Sequence, residues 1–191
     1  MKQKIRVYLQ YPWRFSEGTY YKFLLGYPPK NVVFSKKEEK NTVSRKNLFQ
    51  VSKILKKVIK KSLNIFNYSV PNAHLSPKGN YDLIHCAHCL SRNKDKPWVG
   101  DIEGVFQFYI GKKSEKTRKK IVKILLRENC KKILPWTKSA EKEIRKEFPE
   151  VKEKIKTIYP AVSLPKIKRE KHNGINLLFI GRYFYEKGGV V

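Results

Sequence analysis

Two cations share one short run near the end of the chain, Gly181-Arg182-Tyr183-Phe184-Tyr185-Glu186-Lys187-Gly188-Gly189. It follows directly on the most apolar stretch of the sequence, Ile175-Asn176-Leu177-Leu178-Phe179-Ile180. A buried strand of this kind delivers the chain to the carboxyl edge of a parallel sheet, where α/β proteins bind ligands. Gly181 there lets the backbone turn and approach a ligand closely. Arg182 offers a flat fork of donors and Lys187 a point charge, a pair suited to converging on a diphosphate. Gly188 and Gly189 would open a helix whose first amides add to the same anion site.

A second run with chemical potential is His85-Cys86-Ala87-His88-Cys89, whose cysteines have the spacing of half a zinc site. Cys130, His74 and His172 fall at no spacing that supplies the other half. The three cysteines are therefore expected to be reduced thiols buried near a strand end, and no metal is expected.

Charge widens the choice of partners. The chain carries 43 basic against 16 acidic residues, a formal charge of +27, which suits polyanions: nucleic acid, anionic lipid or phosphorylated small molecules. Aromatic residues such as Tyr20, Tyr21, Phe23, Tyr27, Phe106, Phe108 and Tyr109 could stack on bases. No RRM, KH, zinc-finger or helix-turn-helix pattern accompanies them, so nucleic-acid binding is the weaker reading. A non-catalytic basic α/β protein that binds nucleic acid or an anionic membrane is the alternative to an enzyme. No apolar run reaches the 18 residues of a membrane span, and the N-terminal stretch is too short for a signal peptide. The expected location is cytoplasmic, with peripheral attachment to the inner face of the membrane as an option.

The elements that would hold these groups alternate along the chain. Strands are expected at Ile5–Leu9, Asn31–Ser35, Tyr81–Cys86, Trp98–Glu103, Lys131–Trp136 and Ile155–Tyr159. Helices are expected at Thr19–Leu25, stopped by Gly26 and Pro28-Pro29, at Arg45–Phe66, at Ser114–Glu128 and at Ser139–Phe148. Ser139 is the expected cap of the last helix. In the Arg45–Phe66 segment Leu48, Val51, Leu55, Val58, Ile59 and Leu63 line one face, while Lys53, Lys56, Lys57, Lys60 and Lys61 occupy the rest. Parallel strands need helical crossovers, so the alternation implies a parallel sheet with helices on both faces.

The apolar strand, Gly181-Arg182, four residues and then Lys187-Gly188 resemble the donor-diphosphate loop of the group 1 retaining glycosyltransferases. Softer likenesses run through the preceding residues: Tyr81-Asp82-Leu83-Ile84-His85, Ile133-Leu134-Pro135-Trp136-Thr137-Lys138-Ser139, and Ile155–Val162, where Ala161 replaces the usual Asn-Gly. The resemblance implies the GT-B fold, an α/β architecture of two Rossmann-like domains. Residues 1–164 would form the acceptor-side domain, 165–173 a linker, and 174–191 the beginning of a donor-binding domain truncated after its first strand. It implies transfer of a hexosyl group, with retention, from a nucleotide-diphosphate sugar to a lipid-linked or polysaccharide acceptor, with no metal or other cofactor. Arg182 and Lys187, aided by Gly181 and Gly188, would hold the pyrophosphate. Gly18 is the one glycine of the first loop that would face the donor. Many members carry a His after the strand beginning near Pro97; here that place holds Glu103, the candidate catalytic residue. The family's paired glutamates would lie beyond Gly189, so the 191 residues alone are expected to be inactive. Lys53, Lys56, Lys57, Lys60 and Lys61 would face an anionic membrane.

Overall fold

The computed structural model of the chain describes residues 4–10, 19–35, 68–160 and Gly174. The helix expected at Arg45–Phe66, the linker at 165–173 and the strand at Ile175–Ile180 lie outside them.

Five strands form the central sheet: β1 (Ile5–Gln10), β2 (Val32–Ser35), β5 (Leu83–Ala87), β7 (Trp98–Ile102) and β9 (Cys130–Pro135). Their order is β2-β1-β5-β7-β9, and every neighbouring pair is parallel. Among the described residues three α-helices flank the sheet: α1 (Thr19–Gly26), α2 (Glu115–Leu125) and α3 (Lys138–Glu147). The architecture is α/β and Rossmann-like in its general plan. Sequential strands lie to both sides of β1, so the order reverses between β1 and β5. Such a reversal opens a crevice at the carboxyl ends of the two strands.

The central strands β5 and β7 form where they do because, apart from His85 and Asp101, their residues are apolar on both faces, as a covered parallel sheet requires. In β5, Ile84, Cys86 and Ala87 are all buried. Alternation divides them: Ile84 and Cys86 join the main core with Trp98, Ile121, Leu125, Ile133, Ile144 and Phe148, whereas Ala87 joins Leu9 and Tyr21. Each fully buried aliphatic side chain contributes roughly 1.5–3 kcal/mol. In α2, Ile121, Ile124 and Leu125 supply the buried stripe, and Ser114 caps the helix by accepting from the Thr117 amide.

Several expectations are corrected. α3 is capped by Thr137, whose hydroxyl accepts from the Ala140 amide at 3.1 Å, and Ser139 lies inside the first turn. The strand expected at Ile155–Tyr159 is a single parallel bridge, Ile133 to Ile155, continued by hydrogen bonds from the Lys156 amide to the Ile133 carbonyl and from Ile158 to Pro135. Four short strands make two further ribbons: β3 (Ser69–Pro71) pairs antiparallel with β8 (Tyr109–Gly111), and β4 (Ala73–His74) pairs parallel with β6 (Leu90–Ser91). No helix among the described residues is long and apolar enough to cross a membrane.

Candidate functional site

The carboxyl ends of β5 and β7 bring together side chains from four parts of the chain. Leaving β5, the backbone turns at His88, which adopts the left-handed region at φ 54°. A bulky residue rarely does so unless its surroundings fix it. Here they do: the His88 amide donates to the Asp101 carbonyl at 3.1 Å and to Asp101 Oδ1 at 3.0 Å. Asn72 Nδ2 donates to the His88 carbonyl at 2.8 Å and to the Gln107 carbonyl at 2.8 Å. The turn also lies hard against β7, because a Cβ on Gly100 would come within 2.9 Å of the Cys89 carbonyl oxygen. Only glycine fits that place without a shift.

Asp101, on β7, is the hub of the cluster. Its side chain is 2% exposed and accepts from the Tyr21 hydroxyl at 2.9 and 2.7 Å. His85 Nε2 stands 3.4 Å from Oδ2 but is not aligned for a hydrogen bond, and this buried nitrogen has no other partner. Burial pushes the Asp101 pKa up, yet His85, Tyr21 and His88 together outweigh that and hold it below its ordinary value. The carboxylate is therefore a fixed negative charge inside the sheet edge. Burial, and the Asp101 charge after it, push the Tyr20 hydroxyl up to about 12.

His88 is oriented as an acid–base group would be. Gln107 Oε1 accepts from the Glu103 amide at 2.8 Å, which identifies it as the amide oxygen, and it lies 3.1 Å from His88 Nδ1. An amide oxygen only accepts, so in the neutral ring Nδ1 carries the hydrogen and Nε2 is the basic nitrogen. That Nε2 is 3.9 Å from Oε1 of Glu103, whose side chain is 45% exposed. Trp136, just past β9, and Tyr20 and Tyr21, on α1, wall the group: the Trp136 ring lies 4.8 Å from His88 and 5.0 Å from Tyr20. The cluster thus offers an accessible carboxylate beside an imidazole of set tautomer, a buried negative charge beneath them, and an aromatic wall. Such a set can exchange a proton with a bound polar ligand.

Of the residues singled out from sequence, Glu103 falls in this cluster, as do His85 and His88 of the run read for metal chemistry and Tyr20 and Tyr21 of the aromatics read for base stacking. Arg182, Lys187, Gly181, Gly188, Gly18 and the lysines 53, 56, 57, 60 and 61 lie outside the described residues. Asp101, Gln107 and Trp136 are site residues that the sequence reading does not single out, and Tyr21 and His88 enter the site in roles other than base stacking and metal binding. The signal that could have found them is Gly100-Asp101, a glycine and an acid in the middle of an otherwise apolar strand. The cysteines are buried and free, as expected. Burial pushes the Cys86 thiol well up and the Cys130 thiol up to about 12, so neither is a nucleophile near neutral pH. Among the described residues no three His, Cys, Asp or Glu side chains form a group able to hold a metal ion.

Fold and cluster together define an α/β protein, Rossmann-like in its general plan, with a polar, aromatic-walled cluster at the carboxyl ends of β5 and β7. Comparisons with protein-family models, curated proteins and solved structures find no significant match.

Proposed function

We propose that the chain is the acceptor-side part of a retaining hexosyltransferase of the GT-B kind, which uses a nucleotide-diphosphate sugar and a lipid-linked or polysaccharide acceptor. The observation that carries this reading is the pairing of Glu103 with His88 at the carboxyl edge of a parallel sheet. The resembling family has an imidazole after the strand that ends here. In this chain Glu103 holds that place, and the neighbouring strand's exit supplies an imidazole beside it. Trp136 and Tyr20 add the flat apolar faces on which sugar rings stack, and Glu103 and Gln107 add polar groups of the kind that bind sugar hydroxyls. Arg182 and Lys187 would hold the donor's pyrophosphate and stabilise the departing diphosphate without a metal. The lysines at 53, 56, 57, 60 and 61 would bring the protein to the acceptor's membrane.

The test is isothermal titration of the 191-residue chain with nucleoside diphosphates and their sugars. Binding is expected, weakened about tenfold or more by Arg182→Ala through loss of a charge-assisted pair. Absence of binding across the panel, or no loss with Arg182→Ala in a Lys123→Glu background that weakens the separate pocket proposed below, would sink the assignment.

A further inference from the structure

A second concave site lies away from the Glu103–His88 cluster and shares no residue with it. It is a pocket of about 540 Å³ between α2, the β3–β8 ribbon and the end of β6. Val70, Ile110 and Ile124 line its apolar part, and Arg92, Lys120, Lys123 and Arg127 supply four cations. Lys120, Lys123 and Arg127 fall three and four residues apart, so α2 and its exit place them along one side. Arg127 Nη1 donates to the Arg92 carbonyl at 3.4 Å, which brings the segments bearing the two guanidinium groups together.

A chain of charge +27 has many surface cations, so the distinguishing fact is how its arginines are paired. Among the described residues Arg6, Arg118 and Arg145 each hold a carboxylate: Asp82, Glu150 and Glu141. Arg92 and Arg127 hold none, and both line this pocket. Among the described residues no acidic side chain lines it. Gathering four like charges in a concavity costs Coulomb energy that dispersed cations avoid, and its low-dielectric walls focus the field inward. An anion of matching charge removes that cost. The volume falls in the range of small-ligand sites, and the mixed lining suits a ligand with a charged end and an apolar one.

We propose that this pocket binds a small molecule carrying two or more phosphate groups, with its phosphates on Arg92, Lys120, Lys123 and Arg127 and the remainder against Val70, Ile110 and Ile124. The inference is independent of the glycosyltransferase reading.

The experiment titrates the chain with orthophosphate, pyrophosphate and tripolyphosphate at physiological salt. Affinity is expected to rise with phosphate number at a site that persists in Arg182→Ala. Lys123→Glu should weaken tripolyphosphate by about tenfold or more, a change of roughly 1.4 kcal/mol. Lys142→Glu, an equal charge change at an exposed position on α3, should leave the affinity within about twofold, because screening isolates distant surface charges. Arg182→Ala should retain the site, which separates it from the proposed donor loop. Equal losses from Lys123→Glu and Lys142→Glu would show diffuse charge attraction and overturn the proposal. So would loss with Arg182→Ala alone, or no binding of tripolyphosphate while anionic phosphatidylglycerol vesicles or an oligonucleotide bind through Lys123.

Discussion

A carboxylate enclosed at a sheet edge stands only if its hydrogen bonds repay the water it has lost. Asp101 meets that condition through the Tyr21 hydroxyl and the His88 amide, and in return it fixes the one left-handed non-glycine residue among the described residues. Asp101→Ala removes two charge-assisted bonds worth about 1.5–3 kcal/mol each, so the free energy of unfolding in urea should fall by about 3–6 kcal/mol. Asp101→Asn keeps an acceptor and should cost about half as much. A loss below about 1 kcal/mol for the alanine variant would show that the hub bears little of the turn's stability.

At the level of elements, caps decide where helices begin. Thr137→Ala should destabilise the chain by about 1 kcal/mol, whereas Ser139→Ala should leave it within about 0.5 kcal/mol, read as midpoints of thermal unfolding. The acids close behind Ser139 favour it as the cap in sequence; the backbone instead leaves its extended conformation two residues earlier, at Thr137. The large strands were legible because, His85 and Asp101 aside, Leu83–Ala87 and Trp98–Ile102 are apolar on both faces, which a covered sheet tolerates. The ribbons at Ser69–Pro71 and Leu90–Ser91 were not, since two or three residues are too few to show a period. Likewise Glu103 was legible from its place after a strand. The Tyr21–Asp101 contact spans 80 residues of sequence, and no local pattern encodes it.

For the whole molecule, the scarcity of acids makes each ion pair that spans the fold count for more. Asp82 accepts from the Arg6 backbone amide at 2.8 Å and from Arg6 Nε and Nη2 at 3.2 and 3.0 Å, joining residues 76 apart in sequence. These bonds from the Arg6 side chain and backbone hold the Asp82 pKa down to about 2. A folded value below the unfolded one means that the contribution is complete above about pH 4 and is lost as pH falls toward 2. The stability gap between the natural chain and Asp82→Asn should therefore stay constant from neutrality to about pH 4 and close below it. A gap that persists at pH 2 would place the pair's effect elsewhere. Acidification also adds positive charge to a molecule already at +27, so self-repulsion reinforces the loss.

The short parallel bridge beside β9 has a consequence for how copies of the chain behave in crowded solution. A sheet that ends in a bare strand offers its unpaired amides and carbonyls to any neighbour, and can template strand-by-strand aggregation. Here the segment at Ile155–Ile158 occupies the Ile133 and Pro135 carbonyls and then runs into Pro160, which has no amide hydrogen to extend the ladder. The margin of the sheet is sealed by a strap too irregular to be copied.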